Sequence, residues 1–402
     1  MEKAQNPTRA LRNANRAAIL RLLVLNDGMQ RADISAMTGL TGAAVSRIVR
    51  ELLDCGLLSE TSVAQLEGQL GRRSVSLSID GSGAAVIAIT ISANRRSVAL
   101  YNARREECLF TNLEHVEFAK PETALAAIAE AIEAIIAQHD SRIPIVGIGV
   151  GMAAPSTDHI SEHGVVTSDV LEWKNVAVAE ILREKTGLPV KVETRASAIL
   201  RAELKTVTDL DSRNPFLVNV GVGVGSASNL EGGYQWSGSN GFGRLSHISH
   251  PQSDTGCPCG RRGCLEQAAT GAAVVRDVFG IPDQQHIPFA EMGPNLAEAA
   301  KRAEQGDEHA KDAFFEAGRK MALGVDIALA MLNPDVILLA GETGRQRDYV
   351  RGVRRGLREL RSPLAPDQLQ ISKARSSEGS ACIGLDAFVY SGKFTPADIR
   401  VA

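Results

Sequence analysis

Three cysteines stand within eight residues in the run Cys257-Pro258-Cys259-Gly260-Arg261-Arg262-Gly263-Cys264, with His247 and His250 just upstream. A tetrahedral zinc site needs four soft or borderline ligands converging on one point, and thiolates with an imidazole meet that need. The glycines let the backbone fold tightly enough for three sulfurs to face inward. The pattern predicts a structural Cys3His zinc site. The alternatives are unrelated thiols or a disulfide, and nothing in the sequence indicates the oxidising compartment a disulfide requires. Spacing alone does not choose between His247 and His250.

A second concentration of chemistry lies near the start of the chain. Lys3, Arg9, Arg12, Arg16 and Arg21 face Glu2 alone, while the whole chain carries a net charge of −3. Such an asymmetry points to an anionic partner for the basic end. Residues 9–25 read as an amphipathic helix with Leu11, Ile19, Leu22, Leu23 and Leu25 as its apolar residues, stopped by Asn26-Asp27-Gly28. A short helix follows from about Arg31 to Met37, with Ile34 and Met37 one turn apart. Thr38-Gly39-Leu40 makes a tight turn, and Thr41 caps a third helix to about Asp54, with Val45, Ile48, Val49, Leu52 and Leu53 inward. Two short helices joined by a glycine-containing turn form the helix-turn-helix pattern.

The exposed start of that third helix carries Thr41, Gly42, Ala43, Ala44, Ser46 and Arg47. Small residues admit base edges closely, and Ser and Arg can hydrogen-bond bases or phosphates. Arg50 lies farther along and is assigned to a phosphate. Leu57 to Glu60 and Val75 to Ile79 read as paired strands around a loop with Gly68, Gly71, Arg72 and Arg73. This hairpin is a wing, with Arg72 and Arg73 near the duplex backbone. One such module makes few contacts, so specific binding implies a dimer reading two half-sites. The competing reading is a helical bundle that contacts protein.

At 402 residues, 44% hydrophobic and 23% charged, the chain has the composition of a soluble protein of two or three domains. No apolar run is long enough to span a bilayer. The polar, charged start lacks the apolar core of a signal peptide, so the expectation is cytoplasmic, without a membrane partner. Cys55, Cys108 and Cys382 stand alone and are expected to pack as small apolar residues.

From Ala84 the pattern changes. Val86 to Ile91 is a buried-strand run, Val98 to Tyr101 its hairpin partner, and 121–138 an Ala-rich helix after Pro121. A glycine-punctuated strand at 145–150 precedes a helix near 176–185, a strand at 190–192 and a helix at 196–204. A second half opens with a strand from Phe216 into the glycine-rich turn at Gly221, Gly223 and Gly225, an arrangement that can hold phosphate on backbone amides. Helices near 295–304 and 308–332 follow. A strand at 335–341 ends in a ligand-side turn, and a basic helix near 348–360 and a last helix near 382–390 complete the region. The alternation is that of a duplicated α/β domain with a cleft between halves.

Together these residues resemble the ROK family (repressors, open reading frames and sugar kinases), over nearly the whole chain. The Cys-x-Cys-Gly-x-x-Gly-Cys-x-Glu run from Cys257 to Glu266 is the most specific match. Leu171-x-Trp173, Gly223-x-Gly225 and Asn333-Pro334-Asp335-Val336 also match. The resemblance implies an actin-like ATPase (ribonuclease H-like) duplicated α/β domain over 81–402, preceded by an α+β winged helix-turn-helix domain over 1–80. It implies zinc ligands His247, Cys257, Cys259 and Cys264 within 247–264. The N-terminal module places the chain with the family's repressors of xylose and N-acetylglucosamine type.

The resemblance also shows where kinase chemistry breaks. The family's kinases carry a catalytic base in an Asn-Asp-Ala-Asn run, and this chain reads Thr194-Arg195-Ala196-Ser197. Arginine stays protonated and cannot accept the proton of an attacking hydroxyl. The first phosphate loop, Asp-x-Gly-Gly-Thr-Lys in the family, corresponds to Thr90-Ile91-Ser92-Ala93-Asn94-Arg95, without the acid or either glycine. The expectation is no enzyme activity. The family's Gly-Glu-x-Gly-His reads Gly243-Arg244-Leu245-Ser246-His247, while Asp169, His247 and Glu266 stand at sugar-contacting positions. Arg195 and Arg244 facing the old pocket would suit an anionic effector, a sugar phosphate or sugar acid. The alternative is that both form internal salt bridges. The expected function is a DNA-binding regulator, by the family's usual mode a repressor, of carbohydrate-related genes. Its partners would be a double-stranded operator, a sugar-type effector or a regulatory protein, and further copies in a homodimer or homotetramer.

Overall fold

A computed structural model describes residues 7–62, 75–93, 95–113, 115–153, 163–168, 171–206, 214–229, 244–283, 285, 287–363 and 368–393. The chain opens with α1 (Pro7–Leu25), α2 (Arg31–Thr38) and α3 (Gly42–Asp54), then an antiparallel hairpin of β1 (Leu58–Ser62) and β2 (Val75–Ile79). Gly39, at φ 69°, ends α2 in the left-handed region that glycine enters without a Cβ penalty. Ser35 Oγ donates to the Leu40 carbonyl at 2.6 Å, so the turn is tied at both ends. Thr41 caps α3 by accepting the Ala44 N–H at 3.3 Å. Ile19, Leu20, Leu23, Ile34, Val45, Ile48, Val49 and Leu52 close the module's core. Leu11 and Met37 depart from the expected apolar faces and are 64% and 60% exposed. The eight-residue α2 buries only Ile34, and α1 buries its C-terminal half.

The large domain is built twice. Its first half runs β3 (Ala85–Ile91), β4 (Arg96–Asn102), β5 (Glu107–Asn112), α4 (Pro121–Gln138), β6 (Ile145–Met152), β7 (Val165–Ser168), β8 (Trp173–Ala177), α5 (Val178–Thr186), β9 (Val190–Thr194) and α6 (Arg195–Leu204). The second runs β10 (Pro215–Val220), β11 (Val224–Ser228), a tight turn of helix at Arg244–His247, α7 (Leu265–Ala268), α8 (Gly271–Val278), α9 (Phe289–Glu304) and α10 (Glu308–Leu332). It ends with β12 (Val336–Ala340), α11 (Arg347–Glu359), β13 (Leu369–Ile371), α12 (Ser376–Gly384) and a wide turn at Leu385–Val389. The sheets are ordered β5-β4-β3-β6-β9 and β11-β10-β12-β13. In each, the first strand has an antiparallel hairpin neighbour on one side and parallel strands on the other.

The last helix of each half crosses to the other half. α6 packs on β10 and β11, α12 packs on β3 and β6, and the two helices pack on each other. The glycines of β6 exist for this crossing, because alternate residues of a strand share one face. A Cβ at Gly149 would lie 2.1 Å from the Ser380 carbonyl oxygen, and one at Gly147 2.3 Å from the Phe388 ring. At the crossing itself, a Cβ at Gly379 would lie 2.6 Å from the Ala198 backbone. This explains why α12 begins six residues before the expected Cys382: Ser376-Ser377-Glu378-Gly379-Ser380 has poor helix propensity, overridden by packing that needs small residues. A buried ionic cluster locks the same region. Arg201 binds Glu193 at 2.9 and 3.1 Å and Asp386 at 2.6 Å, and Lys205 pairs with Asp386.

The N-terminal module shares a buried cluster with the first half and the chain's end, joining Ile19 and Leu20 to Val86, Tyr101, Leu385 and Tyr390. Gly392 packs so closely on α1 that a Cβ there would sit 2.0 Å from the Asn13 carbonyl. Cys55 and Cys382 are buried as expected, but Cys108 is exposed, because β5 is an edge strand whose alternate residues face solvent. β5, β7, β8 and β13 were not anticipated, and Pro294 lies inside α9 rather than before it.

Two outcomes follow from this packing. Gly149→Ala should destabilise the fold by about 1–3 kcal/mol or prevent it, read by denaturant unfolding, since backbone flanks the added methyl. Acid should also unfold the protein. Burial pushes the Glu51 carboxyl up, but Arg16 and Arg12 outweigh it, and Lys205 and Arg201 do the same for Asp386, so both sit below the ordinary carboxylate value. Their stabilisation is complete above the unfolded-state pKa, near 4, and is lost as pH falls through the lowered folded values. Melting temperature should drop over that window, and less steeply for Asp386→Asn.

Candidate metal centre, reading helix and interlobe cleft

The cysteine loop is knotted by its own backbone. The Cys257 N–H donates to the Arg261 carbonyl at 2.9 Å, and the Gly263 N–H to Thr255 at 2.8 Å. Gly260 and Gly263 have φ of 86° and 69°, and a Cβ at Gly263 would meet the Ser253 carbonyl oxygen at 2.3 Å. The result gathers one ligand atom each from His247, Cys257, Cys259 and Cys264 within 4.8 Å of one another. Cys259 and Cys264 sulfurs are 3.7 Å apart, and Cys257 Sγ is 3.8 Å from His247 Nδ1. A tetrahedral ion with metal–sulfur bonds of about 2.3 Å separates its ligands by about 3.8 Å, so the donors fit. The fold also decides between the histidines: the Nδ1 of His250 accepts the Gln252 N–H at 3.2 Å, and His250 is outside the group.

Burial and packing against one another shift the three thiols in different directions. Burial pushes Cys257 up to about 12 and raises Cys264 as well. Burial also acts upward on Cys259, but the Arg261 N–H and the two neighbouring thiols outweigh it and leave it lowered. Three packed sulfurs do not all ionise without compensating charge, which a divalent ion supplies.

Immediately after Cys264 the chain enters α7, and this carries Glu266 onto the β10–β11 turn. Its Oε2 accepts the Val224 N–H at 3.1 Å, and its Oε1 would lie 2.2 Å from a Cβ at Gly223. Glu266, Arg195, Asn219, Met152 and the turn at Gly221 to Gly225 line a cavity of only about 50 Å³. Arg195 stands at the start of α6, 6% exposed, and pairs with Glu342 at 3.2 Å. An internal salt bridge, one of the two alternatives for this arginine, is therefore what the fold contains. Next to it a larger cavity of about 470 Å³ opens between the halves, lined by Arg95, Arg345, Arg375, Glu107, Glu342 and Ser376 among others. Glu342, Arg345 and Ser376 were not singled out from the sequence. The available signal was the ligand-side turn after the strand at 335–341. Asp169 and the side chain of Arg244 lie outside the described residues.

At the DNA-reading end, Thr41, Ala43, Ser46, Arg47 and Arg50 are exposed along α3 and Ala44 is half-buried. Neither Arg47 nor Arg50 has a carboxylate at salt-bridge distance among the described residues, whereas Arg12 and Arg16 are both taken up by Glu51 at 2.7 Å. The first helix therefore spends two of its cations internally. Arg72 and Arg73 lie outside the described residues, although the β1–β2 hairpin they would top is present.

A helix-turn-helix with an open reading face, carried on a duplicated two-lobed α/β domain, defines a DNA-binding transcription regulator on an actin-like fold. The winged helix-turn-helix DNA-binding family matches residues 12–59, and the ROK family matches residues 86–391. The chain belongs to the ROK family. It is 25% identical to the xylose repressor of Caldicellulosiruptor bescii over 347 residues, 83% of this chain and 84% of that one. It is 26% identical to the DNA-binding transcriptional dual regulator NagC of Escherichia coli K12 over 341 residues, 83% and 81% of the two chains. A crystallised ROK family transcriptional regulator, a homologue of the Escherichia coli MLC protein, shares the fold with a TM-score of 0.69 at 23% identity, over 95% of this chain and 98% of that one.

Purified protein should carry one tightly held metal ion per chain by elemental analysis. Cys259→Ser should lose it and lower the melting temperature, while His250→Asn should retain it. Retention in both variants would remove His247 and the three cysteines as the ligands.

Proposed function

We propose that this protein is a zinc-dependent repressor of carbohydrate-related genes that binds a duplex operator as a homodimer or homotetramer in the cytoplasm. The carrying observation is the exposed first half of α3, with Thr41, Ala43, Ser46, Arg47 and Arg50 on one side of a turn tied by Ser35, Gly39 and Thr41. Helix-turn-helix modules place such a face in the major groove, and two copies read two half-sites. Arg72 and Arg73 would add backbone contacts from the wing. Among the described residues no helix is long and apolar enough to cross a membrane. Zinc suits the ligand set, since three thiolates and one imidazole with no open position form a closed structural site.

The two-lobed domain acts as a sensor and not as a kinase. Arg195 holds the position of the catalytic base and is committed to Glu342. A carbohydrate effector carrying an anionic group would enter the cleft near Arg195 and Glu266, with Asp169, Arg244 and His247 as the further contacts expected from the sequence. Its effect on DNA binding requires that it prefer one arrangement of the lobes.

Fluorescence anisotropy with genomic operator fragments tests the reading. Affinity should fall steeply with salt, by roughly a hundredfold or more between 50 and 200 mM. Arg47→Ala should cost about 1–3 kcal/mol of specific binding with no change in melting temperature. Salt-independent binding, or turnover of ATP with a sugar at an ordinary kinase rate, would refute it.

A further inference from the structure

Three charged side chains from three loops meet between the lobes. Arg95 comes from the β3–β4 turn and Arg195 from the start of α6, both in the first half. Glu342 comes from the turn after β12, in the second half. Glu342 Oε1 lies 3.2 Å from Arg95 Nε and 3.2 Å from Arg195 Nη2, so one carboxylate oxygen of one lobe is shared by two guanidinium groups of the other. The backbone is shaped for this contact. Gly341, at φ 84°, packs against the Val220 carbonyl, and Glu342 Oε2 would be 3.1 Å from a Cβ at Gly221.

Two features indicate that these arginines are built for more than Glu342. Arg195 is 6% exposed, yet its Nε has no hydrogen-bond acceptor among the described residues. A buried guanidinium donor left unmatched is costly, and a bound oxyanion is the acceptor that would match it. Glu342, Arg95 and Arg345 also line the cavity of about 470 Å³, a volume within the range of small-ligand sites, whereas the neighbouring pocket at Glu266 measures about 50 Å³. Arg345 Nε is likewise buried without an acceptor among the described residues, and its Nη2 donates to Ser372 and Ala374.

We propose that Arg95 and Arg195 form an oxyanion site in which Glu342 sits as an internal ligand holding the lobes together, and that a small ligand bearing a phosphate or carboxylate enters the larger cavity and displaces it. This deepens the effector reading above and rests on it for the cleft as the sensing site. Displacement breaks both of the ion pairs that Glu342 makes across the cleft at once, so ligand and closed latch exclude each other. An occupied site also lowers apparent affinity in proportion to the fraction of time Glu342 fills it.

Calorimetry on the full-length, metal-loaded protein tests this with inorganic phosphate and with D-glucuronate as probes. Glu342→Gln keeps the shape and removes the competing charge, and it should bind at least one probe about tenfold tighter than the natural protein does. The probe that gains identifies phosphate or carboxylate as the natural group. Adding Arg195→Gln to Glu342→Gln should abolish the gain. Should Glu342→Gln not fold, Glu342→Asp, which retracts the carboxylate by one methylene, should show a smaller gain in the same direction. Equal affinity of natural protein and folded variant for both probes, or absence of binding to either, overturns the proposal. Operator binding measured on the same preparations separates the two ideas: its absence removes the regulator reading while the tighter anion binding of the variant still establishes the latch.

Discussion

Two helices exchanged between two half-domains set the terms for the rest of this molecule. α6 leaves the first sheet and lies on the second, α12 leaves the second sheet and lies on the first, and they touch where they cross. The crossing is closer than side chains of ordinary size permit, which is why Gly147, Gly149 and Gly151 line one face of β6 and Gly379 and Ser380 face them or Ala198. Close-packed interiors deform little, so motion between the halves has to pivot about this contact. The Arg201–Glu193–Asp386–Lys205 cluster beside it adds direction to a junction that small residues alone would leave slippery. Such buried pairs are poor sources of net stability but strongly penalise arrangements that separate them.

The charged groups of the cleft gather at the N-terminal ends of these helices. Arg195 is the first residue of α6, and Ser376, which accepts from it at 3.2 Å, is the first of α12. The opposite end of α12 runs through Leu385 and Tyr390 into the cluster shared with the N-terminal module, and Gly392 rests on α1. The cleft and the reading head therefore meet the same short element at its two termini. Coupling between the two would need no long chain of intermediates, only two arrangements of this element whose balance both ends bias.

The cysteine loop bears on the cleft as well as on the second lobe. Its last cysteine, Cys264, is followed directly by Leu265 in the core and Glu266 against the glycine turn. A loop knotted by its own backbone hydrogen bonds thus positions a carboxylate at the wall of a pocket. In the opposite lobe, arginine at the start of α6 changes what the same geometry can do. An arginine there cannot take a proton, and it holds negative charge instead, here that of Glu342.

Much of this was legible in residue order. The cysteine spacing with two glycines, the Gly39 turn between short helices, the long strands of continuous apolar residues and the helices at 121–138 and 308–332 all express local constraints: ligand count, turn chemistry and periodicity. The duplicated plan follows from repeating that pattern. Tertiary structure alone decided the remainder. His247 rather than His250 joins the thiols because the path of the chain brings it there, not because of its distance along the sequence. The short edge strand β5 and the helix from Ser376 have weak local preferences and form because neighbours pair with them or demand small residues. Residue order left Arg195 open to either a ligand or an internal ion pair, and only folding brought Glu342, 147 residues away along the chain, to its side. Long-range electrostatic pairing leaves no trace in spacing, since either partner alone reads as an ordinary charged residue.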